Sequence, residues 1–127
     1  MVSTAKKKIL MVEDDESLRI VMKLFFESEG YYFMAVETAE KGLVELDLQE
    51  YDIIISDYML PGINGLEFLR ALHKTPVRST KVLTTAFGNS DIIEQAKSLG
   101  ISYFIEKPLT AEKLEACLAY LGARQGK

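Results

Sequence analysis

The chain has no tryptophan, one cysteine and one histidine, and its longest apolar runs are short. Each shortage excludes something. A single cysteine, Cys117, allows no intramolecular disulfide. It stands in the stripe Leu114, Cys117, Leu118, Leu121, where a small buried hydrophobe is expected. His73 has no cysteine or second histidine to share a metal, so it reads as a surface residue of the third helix. The apolar runs fall far short of the roughly 18 residues that span a bilayer, and no signal-type stretch follows the first lysines. No membrane association is expected, and a cytoplasmic location is the default. Positive charge is also scarce. The formal net charge is -4, and the one basic run, Lys6-Lys7-Lys8, is too narrow for a nucleic-acid face. Direct nucleic-acid contact is therefore not expected.

What is present suits one ordinary globular domain over residues 1–127, with a core from about 8 to 121. Apolar residues make up 48% and charged residues 27%, a balance that excludes a disordered chain. Five short apolar runs predict strands at Lys8–Val12, Tyr32–Val36, Ile53–Ser56, Lys81–Thr85 and Tyr103–Glu106. The third is isoleucine-rich without polar alternation, the pattern of a strand covered on both faces. Helical spacing lies between them. Leu18, Val21, Met22 and Phe25 recur at i, i+3, i+4 and i+7, followed by Leu43, Leu46 and Leu48. Leu66, Leu69 and Leu72 mark a third helix, and Ile92, Ile93, Ala96 and Leu99 a fourth. Gly30 and Gly100 stand where C-terminal caps belong, Thr110 can cap the last helix, and Pro61-Gly62 with Asn64-Gly65 marks a tight loop.

Strict alternation of strand and helix implies an α/β fold, a doubly wound parallel sheet with right-handed crossovers. Ligands of such sheets bind beyond the carboxyl ends of the strands. Four of the five ends here carry chemistry. The first strand runs into Glu13-Asp14-Asp15-Glu16, the third into Asp57, the fourth ends at Thr84-Thr85, and the fifth runs into Glu106-Lys107-Pro108. Each alone has a plain explanation: a helix N-terminus for the acidic run, a turn aspartate, a β-forming threonine, a solvated lysine. Their convergence on one edge is the signal. Carboxylates gathered there repel one another unless a cation is present, and a hard ion such as Mg2+ takes one or two carboxylates with water and a phosphate oxygen. A lysine charge and a threonine hydroxyl complete a site suited to a transferring phosphoryl group.

The stretches ILMVEDDESLR, IIISDYMLPGINGLEFL, VLTTAFGN and YFIEKPL together resemble receiver domains of two-component response regulators, from about Lys8 to Leu121. The resemblance implies a (βα)5 flavodoxin-like fold with strand order 2-1-3-4-5. It implies Asp57 as phosphoacceptor and Asp14 as a direct metal ligand, with Glu13 acting through water and the Met59 main-chain carbonyl completing the set around Mg2+ or Mn2+. Thr85 matches the switch hydroxyl, Phe104 the switch aromatic, and Lys107 the lysine that contacts the phosphate. A cis peptide before Pro108 is also implied. Phe104 has no hydroxyl, so its output would be a packing change. Met59 is apolar where some receivers carry a polar residue that orients water, so the lifetime of the phosphorylated state does not carry over.

The implied partners are a sensor histidine kinase or histidine phosphotransfer protein and a downstream output reached through the α4-β5-α5 surface, with a phosphorylation-linked homodimer as an option. The domain would be a switch, not an enzyme. Three rivals remain. A phosphatase of the haloacid-dehalogenase type also uses a strand-end aspartate, but usually with a second aspartate where this chain has Met59. A flavodoxin-like cofactor binder is opposed by the acidic first loop, which repels a phosphate. A receiver that signals without phosphate is opposed by the filling of every required position. The sequence ends shortly after its fifth helix and so reads either as a single-domain regulator or as a receiver from a longer one.

Overall fold

Successive side chains along each strand face opposite sides of the sheet and so divide between two cores. A computed structural model describes residues 6–73, 79–86, 90–101 and 103–125, the side chains of 73 and 123–125 excepted. In chain order the elements are β1 (Lys8–Val12), α1 (Glu16–Ser28), β2 (Tyr32–Val36), α2 (Ala39–Leu48), β3 (Ile53–Asp57), α3 (Gly65–His73), β4 (Thr80–Thr85), α4 (Ser90–Ser98), β5 (Tyr103–Glu106) and α5 (Ala111–Gln125). All pairings are parallel and the order is β2-β1-β3-β4-β5. Both agree with the sequence expectation. β3 runs one residue further than its apolar run, through Asp57, and β4 starts one earlier, at Thr80. Ladder pairing, not hydrophobicity, sets those ends: Asp57 pairs with Thr84 and Ile53 with Thr80.

Ile53 and Ile55 of β3 join Ile9, Met11, Val82 and Ile105 in a core beneath α1 and α5. Ile54 joins Val12 and Leu83 in a second core beneath α2, α3 and α4. β3 is thus covered on both faces, as its uninterrupted isoleucines predict, and each buried isoleucine contributes about 1.5–3 kcal/mol. Cys117 lies with Leu114 and Leu121 in the first core, as expected.

α1 and α2 stand where the apolar spacing places them, though not every residue of that spacing faces the core. The buried stripe of α1 centres on Met22 and Phe26, and Val21, one residue or about 100° around the helix, is 54% exposed. Leu48 at the end of α2 is likewise exposed, since only Ala39 and Gly42 of that helix are fully buried. The caps hold. After α1 the Gly30 N–H donates to the Glu27 carbonyl and the Tyr31 N–H to that of Phe26, with Gly30 at φ 92°. Gly100 and Ile101 repeat the pattern after α4. Thr110 accepts from the Lys113 N–H at 3.2 Å and so caps α5. The expected surface position of His73 lies outside the described side chains, as do residues 87–89 of the VLTTAFGN stretch.

Candidate functional site

The strand ends are held by bonds that extend the sheet one residue further. The Glu13 N–H donates to the Val36 carbonyl at 2.9 Å, the Tyr58 N–H to that of Thr84 at 2.8 Å, and the Lys107 N–H to that of Thr85 at 2.8 Å. Glu13, Asp57 and Lys107 are therefore placed by backbone, not by flexible loops. After β3 the chain turns back sharply. The Gly65 N–H donates to the Tyr58 carbonyl at 2.9 Å, and a Cβ at Gly65 would lie 2.1 Å from the Asp57 carbonyl oxygen. Only glycine permits that approach. Asn64 and Glu67 cap α3 reciprocally, at 2.8 and 3.1 Å, which fixes where the helix starts relative to Asp57.

Within this frame the Lys107 ammonium donates to Asp57 Oδ2 at 3.0 Å and to Glu13 Oε1 at 3.1 Å. The side chains of Glu13 and Asp57 are 1% and 6% exposed, and Lys107 is the charge that balances them. Asp14 is exposed, yet one carboxylate oxygen from each of Glu13, Asp14 and Asp57 lies within 4.8 Å of the others. Burial, with the Asp57 charge beside it, pushes the Glu13 carboxyl above its usual range despite the Asp15 N–H and Lys107. Burial works against the charge on Lys107, but its bonds to Asp57 and Glu13 outweigh it and hold the ammonium above the usual lysine range. Three acidic oxygens around one point, already drawing in a cation, form a pocket that a divalent ion fits.

The sequence expectation names these four residues, and the fold brings all four together. Thr85, the last residue of β4, is fully buried at the edge of the site. Phe104 is partly buried against the second core, opposite the acidic pocket across the sheet. Met59 follows Asp57 in the exposed loop, its side chain 65% exposed. The Lys107–Pro108 peptide is cis. Asp15 acts as N-cap of α1, accepting from Leu18, which separates it from the acidic pair. Sequence reading passed over Arg19. Its guanidinium donates to the Glu13 carbonyl at 2.8 Å and stands 3.9 Å from Glu37, tying β1's end to α1 and to the entry of α2. Its position one turn into α1 was the available signal. The burial of Thr84 was also passed over.

The geometry can be set beside known proteins. A family model described as the response regulator receiver domain matches residues 9–119. The chain belongs to that family. It is 30% identical to the sporulation initiation phosphotransferase F of Bacillus subtilis, over 91% of this chain and 94% of that protein. It is 34% identical to YkoG of the same organism, an uncharacterized transcriptional regulatory protein, over 87% of this chain but only 49% of YkoG. The chain therefore spans about half the length of that relative. The solved CheY-like receiver domain from Methylobacillus flagellatus superposes with a TM-score of 0.83 at 26% identity, covering 92% of this chain and 99% of that one. It is a response-regulator receiver domain of the two-component type, and receiver domains are signalling switches rather than typical enzymes. None of its described helices is long and apolar enough to cross a membrane.

Proposed function

We propose that Asp57 accepts a phosphoryl group from a phosphohistidine of a sensor histidine kinase or histidine phosphotransfer protein. The observation that carries this reading is the Lys107 ammonium held between two buried carboxylates with Asp14 beside them. Asp14, Asp57 and the Met59 carbonyl would hold Mg2+ or Mn2+, with Glu13 acting through water. That ion, when bound, neutralises charge on the carboxylates and on the phosphoryl oxygens. An Asp57 carboxylate oxygen attacks phosphorus in line. A P–O bond forms, the P–N bond breaks, and the electron pair leaves on the imidazole nitrogen. Lys107 stabilises the equatorial oxygens. The relative named as a phosphotransferase, similar over 94% of its own length, supports a phosphotransfer role.

The Thr85 hydroxyl then bonds a phosphoryl oxygen, and Phe104 repacks into the space released, altering the α4-β5-α5 surface. The readout is a packing change because the Phe104 ring carries no hydrogen-bonding group. The whole chain, residues 1–127, acts as one receiver in the cytoplasm. Its output is a downstream domain or protein, or a phosphorylation-linked homodimer, and the regulatory name and greater length of YkoG support an output beyond the receiver. Mass spectrometry after incubation with acetyl phosphate tests the core of this reading. A Mg2+-dependent gain of one phosphoryl group, about 80 Da, is expected in wild type and not in Asp57→Asn. An adduct retained by folded Asp57→Asn would sink it.

A further inference from the structure

The Thr84 hydroxyl is fully buried and has no hydrogen-bond partner, the one side-chain polar atom so placed among the described residues. An unpaired buried hydroxyl is destabilising, and a valine of the same shape would avoid the cost. Its location suggests why a hydroxyl stands there. Thr84 is the register partner of Asp57 across β3 and β4, and of Ile105 across β4 and β5. Partners on adjacent strands lie about 4.8 Å apart with side chains on the same face. Thr84 therefore stands beside Asp57. Val82 and Ile105 around it belong to the apolar core beneath α1 and α5, and they offer it nothing polar. Thr85 points the other way, on the face of Leu83 and Phe104, so the two threonines do not duplicate each other.

At rest Asp57 Oδ2 accepts from Lys107, which reaches from the end of β5 across β4. Esterification moves the negative charge off the carboxyl and onto the phosphoryl oxygens. The ammonium follows that charge. What remains at Oδ2 is a neutral carbonyl oxygen, matched by a neutral donor. We propose that Thr84 is a positioning residue whose hydroxyl donates to the Asp57 carboxyl oxygen that Lys107 releases, so that its unpaired state at rest is satisfied only when Asp57 is modified. This inference rests on the receiver reading above and adds a residue to it.

Beryllofluoride, which adds to an aspartate as a phosphoryl group does, separates the two. Wild type, Thr84→Val and Thr84→Ser would be titrated with it in Mg2+, followed by 19F NMR, and each variant's ligand-free stability measured in urea. Thr84→Val should bind about five- to tenfold more weakly, the worth of one neutral hydrogen bond, while Thr84→Ser stays within about twofold of wild type. Thr84→Val should also be no less stable than wild type without ligand, which a purely structural hydroxyl would not allow. Equal binding by wild type and Thr84→Val overturns the inference and leaves the receiver reading intact. Failure of folded wild type to bind at all overturns the reading beneath it.

Discussion

Glu13 is 1% exposed and its neighbour Asp14 is exposed, although the sequence presents them as a matched pair. Alternation along β1 does not separate them, since Leu10 and Val12 on one face are as buried as Ile9 and Met11 on the other. Glu13 is still held in the sheet by its N–H bond to the Val36 carbonyl, and Asp14 stands one residue beyond. Burial makes Glu13 and Asp57 depend on Lys107. Replacing Lys107 by Met leaves two carboxylates without their cation, and with the lysine 30% exposed the expected loss is about 1–3 kcal/mol. Urea denaturation with and without Mg2+ checks it: the divalent ion should recover much of the loss in the variant. Cys117 gives a second test at this scale. Burial pushes its thiol up to about 12 from an ordinary value near 9. The unfolded thiol ionises in that window and the folded one does not, so stability is intact below pH 9 and falls as pH rises from about 9 to about 12, by up to about 1.4 kcal/mol per unit. The wild type should show this extra slope relative to Cys117→Ala, and equal slopes would refute it.

Gly65 shows how one element positions another. α3 begins so close to the end of β3 that its first residue touches the Asp57 backbone, and the reciprocal Asn64–Glu67 cap keeps it there. Gly65→Ala should therefore push the helix from the strand, at a cost of about 2–4 kcal/mol, and lower the yield of phosphorylated Asp57 with it. Gly122 in α5 is the control. Its Cβ would meet nothing, so Gly122→Ala should be neutral or stabilising by up to about 1 kcal/mol. Calorimetry on both variants decides whether the close approach, or merely the loss of a glycine, matters.

At the scale of the whole molecule, a net charge of -4 includes three carboxylates gathered at one edge of the sheet. Their mutual repulsion opposes folding, and an ion that binds only the assembled pocket reverses it by mass action. Mg2+ should raise the melting temperature, with a stabilisation of about 2.7 kcal/mol at a hundredfold excess over its Kd. Asp14→Asn should lose most of that response, and without the ion its melting temperature should be no lower than that of wild type, since one of the repelling charges is gone. A rise that Na+ reproduces at equal ionic strength would mean screening, not a site.

The sequence by itself determined the architecture. Alternating apolar runs and helical spacings, punctuated by Gly30, Gly100 and Thr110, admit one economical packing, a parallel sheet covered on both faces. Local periodicity suffices for that because helix and strand periods are properties of consecutive residues. It also placed Glu13, Asp14, Asp57 and Lys107 at strand ends. Periodicity was less secure on α1, where apolar residues surround the helix and Val21 could be counted into a stripe that centres on Met22 and Phe26. The tertiary structure alone decided what lies across the sheet from what. That Lys107 reaches Glu13 across 94 residues and that Thr84 rather than Thr85 stands beside Asp57 both depend on register between strands distant in sequence. Register is set by the pairing of whole strands and the packing of two cores, and no local run of residues carries it.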